Sequence, residues 1–74
     1  MKKENNICFT DSQGKALFFI PDGGFLHIFY GNGDDGFALC RYQDKDHAEI
    51  DGVSYALTDF AKRMERNQIS FTPA

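Results

Sequence analysis

Apolar residues arrive in short bursts separated by Gly, Pro, Asn and Asp over most of this chain, and only from Leu57 onward do they change to helical spacing. Bursts of strand length bounded by turn residues predict a succession of β-strands. ICFT at 7–10 leads into Asp11-Ser12-Gln13-Gly14 and then KALFFI at 15–20, a first hairpin. Pro21-Asp22-Gly23 follows, where Pro presets the first turn angle, Asp bonds back to the local backbone and Gly supplies a left-handed position. That composition suits a three-residue hairpin loop with a bulge. FLHIFY at 25–30 and FALCRY at 37–42 are rich in aromatic and branched residues and read as the next two strands, separated by GNGDDG at 31–36. Gln43-Asp44-Lys45-Asp46 forms another turn. The runs 47–50 and 53–57 then flank Asp51-Gly52, the pair that favours a two-residue hairpin.

Leu57, Phe60, Ala61 and Met64 fall at i, i+3, i+4 and i+7, the apolar stripe of one helix. Thr58 is placed to cap it, with the helix running over 59–67. Asp59 lies in its first turn and Lys62, Arg63 and Arg66 follow toward its end, as the helix dipole favours. Residues 69–72 add a short final strand that Pro73 stops. The predicted fold is a single α+β domain over 1–74: an antiparallel meander of about six short strands with one C-terminal helix. The sheet either curves around the helix, the preferred arrangement, or forms a small partly open barrel.

Both faces of two strands are apolar, and this shapes the functional expectation. Phe18 and Ile20 point one way and Leu17 and Phe19 the other, while Leu26 and Ile28 oppose Phe25 and Phe29. One helix, anchored by Phe60 and Met64, covers one face. Phe19, Phe25, Phe29 and Tyr30 therefore form the candidate interaction surface for a protein partner or a homodimer.

Composition narrows the classes further. In 74 residues, 42% hydrophobic and 26% charged, there is material for one packed core and no signature of disorder. A net charge of -3 with both signs scattered gives no basic stripe for phosphates, which disfavours nucleic acid and anionic membranes as partners. MKKENNICFT contains no apolar signal core, and no uncharged run is long enough to span a bilayer, so a cytoplasmic chain is expected. Cys8 and Cys40 stand far apart, and in a reducing compartment they read as free, buried thiols.

GNGDDG spells the dinucleotide fingerprint, but its glycines lead into a strand, whereas pyrophosphate binding needs a helix N-terminus after them. Asp34 and Asp35 would also repel a phosphate. A kinase glycine loop does join two strands, yet FALCRY offers Arg41 where a lysine is needed, with no catalytic loop elsewhere. If Gly36 takes the sixth position of a calcium loop, the first and third positions fall on Gly31 and Gly33, so that spacing fails too. Gly and Asn filling left-handed positions of a hairpin loop account for the motif. Cys8, Cys40, His27 and His47 are isolated singles without the paired spacing of a zinc knuckle, and no nucleophile stands beside a base. His27 and Cys40 read as packed strand residues, His47 as a solvated turn residue near Asp44 and Asp46, and Arg41, Tyr42 and His27 as a chance polar group. No catalytic residue, metal or cofactor is assigned.

IPDGG at 20–24, CRY at 40–42, His47 and FAKRMERN at 60–67 resemble a set of short uncharacterised proteins from integrative and conjugative elements of gut Firmicutes. The resemblance spans most of 18–71. It implies a mobile-element setting and no particular activity. The expectation is thus a small non-catalytic protein-interaction module. A single-stranded nucleic-acid-binding accessory protein of small-barrel type, stacking bases on aromatics, is the alternative.

Overall fold

The computed structural model describes residues 5–74; residues 1–4, with the first of the N-terminal charges, lie outside the described residues. The elements are β1 (Asn6–Thr10), β2 (Ala16–Pro21), β3 (Phe25–Phe29), β4 (Asp35–Asp44), β5 (His47–Ile50), β6 (Val53–Ala56), α1 (Leu57–Arg66) and β7 (Ser70–Pro73). Every strand pairing is antiparallel. β1 and β2 form a two-stranded sheet, and the others a five-stranded sheet in the order β6-β5-β4-β3-β7. The α+β meander is therefore as expected, with a short last strand that returns to pair with β3. Among the described residues the strands divide between two sheets and close no barrel.

The division happens at Pro21-Asp22-Gly23, and there the expected hairpin does not form. Gly24 donates its N–H to the Pro21 carbonyl at 2.8 Å, closing a turn in which Gly23 takes φ +86. The next ladder bonds go to β4: Gly23 N–H donates to the Cys40 carbonyl at 2.8 Å, and Cys40 N–H donates to Gly24 at 2.9 Å. β4, with ten residues, captures the chain before β3 begins, so β2 stays with β1. A Cβ on Gly24 would lie 2.7 Å from Ile20 Cγ2 and 3.0 Å from the Pro21 oxygen, so only glycine permits this corner. Asp22 does not bond back to its own turn either; its carboxylate reaches β4.

The other turns follow their sequence chemistry more closely. Asp51 (φ 54) and Gly52 (φ 82) are both left-handed between the paired Ile50 and Val53, as a type I′ hairpin requires. In GNGDDG, Gly31 and Gly33 take positive φ, but Asn32 does not. Its Oδ1 instead accepts the Asp34 N–H at 3.1 Å, an Asx turn.

The core lies between the two sheets and α1. Phe9 of β1 is fully buried, and its ring centroid sits 5.4 Å from Phe18, 6.1 Å from Phe60 and 6.0 Å from Phe71. One side chain thus joins β1, β2, α1 and β7, and burial of such a ring contributes about 2–3 kcal/mol. Leu57, Phe60, Ala61 and Met64 are the buried stripe of α1, as their spacing predicts. On β4 the inward positions carry small residues: Gly36 opposite Ile28, Ala38 opposite Leu26 and Cys40 opposite Ile50. Ala38 and Cys40 are buried there, in one core cluster with Ile7 and Phe9 of β1 and Phe60 and Met64 of α1.

The helix begins earlier than its polar residues suggest. Ala56, not Thr58, is the N-cap, and among the described residues no side chain caps the helix. Leu57 N–H donates to the Asp46 carbonyl at 2.9 Å, so backbone replaces the cap while burial of Leu57 fixes the first turn. At the other end Ile69 N–H donates to Met64 and Gln68 N–H to Glu65, a Schellman motif with Gln68 at φ 59.

Candidate interaction surface

Strand register decides which side chains share the outer face of the five-stranded sheet. Phe25 stands opposite Leu39, His27 opposite Phe37 and Phe29 opposite Asp35 across β3 and β4. Because successive side chains alternate, these six share one face, and Leu26, Ile28, Ala38 and Cys40 share the core face. Phe37 is 63% exposed, Phe25 50%, Leu39 42% and Phe29 37%. Large apolar groups therefore face outward on the two neighbouring strands β3 and β4, which lie inside the sheet rather than at its edges.

His27 organises the middle of this face. Its ring centroid lies 4.1 Å from that of Phe29 and 4.4 Å from that of Phe37, with which it stacks at 22°. Nε2–H donates to Asp35 Oδ2 at 2.6 Å. The carboxylate bond and the contacts with two rings restrict the imidazole, so the aromatic residues form a pre-ordered platform. Cross-strand pairing carries the face on to Arg41 and Glu49 on β4 and β5, then to Ser54 on β6. Arg41 Nε–H donates to Asp22 Oδ1 at 3.2 Å.

The four residues singled out from sequence are not all brought together. Phe25 and Phe29 lie on the platform. Phe19 is exposed but belongs to the two-stranded sheet, opposite Cys8. Tyr30 packs over Gly36, its ring 3.5 Å from where a Cβ would stand. Gly36 shares the inward register of Ile28, so Tyr30 covers the end of the core side and not the platform. His27, Phe37 and Leu39 were missed. For Phe37 and Leu39 the signal was present in FALCRY, where small Ala38 and Cys40 alternate with them, and for His27 in FLHIFY, where it falls in step with Phe25 and Phe29.

The remaining chemistry-bearing residues are dispersed. Cys40 is buried, and burial pushes its thiol up to about 11. Cys8 is half-buried and lines a cavity of about 310 Å³ with Thr10, Lys45 and Thr58. His47 is exposed, its Nδ1 2.8 Å from Asp44 Oδ1, which raises the imidazole above its usual 6.5. Arg41 and Tyr42 meet only through Asp22, whose Oδ1 also accepts the Tyr42 N–H. Among the described residues no three of His, Cys, Asp or Glu gather as metal ligands, and no helix is long and apolar enough to cross a membrane. Compared with protein-family models, curated proteins and solved structures, the chain matches none.

Proposed function

We propose that this chain is a small non-catalytic protein-interaction module, a cytoplasmic accessory protein of a mobile element, which docks a protein partner or a second copy through the outer face of β3 and β4. The observation that carries this is the inverted side-chain size on β4: Ala38 and Cys40 are buried while Phe37 and Leu39 stand in water. Contiguous exposed apolar surface of that kind marks interfaces. The His27 stack supports it, since a platform ordered before binding loses less entropy on docking. The mobile-element setting rests on the resemblance of the IPDGG, CRY and FAKRMERN segments.

Base stacking on Phe25, Phe29 and Phe37 favours the second reading, a single-stranded nucleic-acid-binding protein. Asp35 and Glu49 on the same face oppose it, because they would meet the phosphates. The deciding experiment combines molar mass in solution, over a wide concentration range, with capture from native-host lysate by wild-type and Phe37→Asp baits. A dilution-resistant dimer or a captured protein, lost in Phe37→Asp, is expected. A strict monomer with identical captures by both baits sinks the docking reading.

A further inference from the structure

We infer that the occupant of the platform is a cationic amphipathic protein segment, an apolar strip flanked by Arg or Lys; this rests on the docking reading above and identifies the partner's chemistry. The sign of the surrounding charge leads there. Asp35 and Glu49 lie on the face itself, and exposed Asp22, Asp34 and Asp51 occupy the turns at its ends. Among the described residues the one cation on the face, Arg41, is held by Asp22 and stands opposite Glu49. Among the described residues, Lys62, Arg63 and Arg66 are exposed on α1, which packs on the core side, while Lys15 and Lys45 sit in the β1–β2 and β4–β5 turns. The platform is thus an aromatic patch with an acidic border, and complementarity asks for the opposite sign around an apolar centre.

A second copy does not meet that requirement. Packing face to face would bring two acidic borders together. The cationic side of α1 in another copy carries charge, but Leu57, Phe60, Ala61 and Met64 are buried, so it has no apolar strip to cover Phe37 and Phe25. Geometry favours Arg in particular. Asp35 and Phe37 are two residues apart on the same face, so a guanidinium lying on the open ring of Phe37 is positioned to bond the Asp35 carboxylate.

The test is titration of isotope-labelled full chain with three probes: a short peptide alternating Val with Arg, its counterpart alternating Val with Glu, and an oligothymidylate. The Arg peptide is expected to shift the amides of His27, Phe37 and Leu39 and to bind about tenfold or more tighter than the Glu peptide. High salt should narrow the difference, as should Glu49→Gln, which leaves the His27–Asp35 bond intact. Asp35→Asn should narrow it further, with the amide spectrum reporting whether the fold is kept. Equal binding of both peptides at those residues overturns the cationic partner and leaves the docking reading standing. Oligothymidylate shifting them while the Arg peptide does not overturns both. If no probe moves them, the cationic partner falls, and mass and capture decide the docking reading by themselves.

Discussion

Asp22 Oδ1 accepts the backbone N–H of Tyr42 at 2.8 Å, tying the corner after β2 to the far half of β4 across twenty residues of sequence. The same oxygen takes Arg41 Nε–H at 3.2 Å. The Tyr42 bond, foremost, and the Arg41 contact lower the Asp22 carboxyl below its ordinary 3.8.

Asp22→Ala should therefore lower the melting temperature at neutral pH more than Asp22→Asn, which keeps an acceptor for the Tyr42 amide. Because the folded carboxyl titrates below the unfolded one, the stability it adds is complete above about pH 4 and disappears as pH falls through the folded value. Thermal melts across acid pH check both statements. An Asp22→Ala chain that melts with wild type at every pH contradicts them.

The pair of Asp44 and His47 gives a window rather than a single limb. His47 is raised above 6.5, chiefly by its hydrogen bond to Asp44, so its contribution is full below that value and is lost as pH rises through the folded pKa. Asp44 is lowered from 3.8, mainly by the same bond, so its contribution is lost as pH falls below that value. The stability difference between wild type and His47→Gln should peak between these two values and shrink on either side. A difference that is flat from pH 4 to pH 8 removes the pair as its source.

Gln68 holds the left-handed position of the helix C-terminus at φ 59. Glycine occupies that position without steric cost, and Gln68→Gly should stabilise the chain by about 0.5–1 kcal/mol. Denaturant melts check this through the midpoint at constant slope. A lower midpoint for Gln68→Gly refutes the strain.

The two thiols should separate cleanly. Cys40 is fully buried with its thiol pushed up to about 11, whereas Cys8 is half-buried and lines the open cavity beside α1. A neutral thiol reagent should label one cysteine in the native chain, Cys8, and both in denaturant. Peptide mapping of the label distinguishes them, and fast native labelling at Cys40 would mean that β4 opens readily.

Local chemistry was legible in the sequence where it was self-contained. Leu57, Phe60, Ala61 and Met64 announce their helix by spacing, and Asp51-Gly52 its hairpin by the two left-handed positions it requires. The start of the helix was not legible, because its first N–H is satisfied by the Asp46 carbonyl and not by Thr58. The break between sheets was hidden for a similar reason: Gly23 and Gly24 look like a hairpin loop until their bonds to distant Cys40 are known. For the platform, alternation gave Phe25 and Phe29. His27 shares that alternation on β3, whereas Phe37 and Leu39 depend on which way β4 faces, and Tyr30 turns to the other side because glycine at position 36 leaves room for its ring.

The small inward residues of β4 have a consequence for how this chain can change. Since the core contacts of β4 run through Ala38 and Cys40, Phe37 and Leu39 carry none of them, and the inner and outer faces of the strand can vary separately. Substitutions at a handful of outward positions on β3 and β4 would redraw the exposed face with the architecture behind it left unaltered.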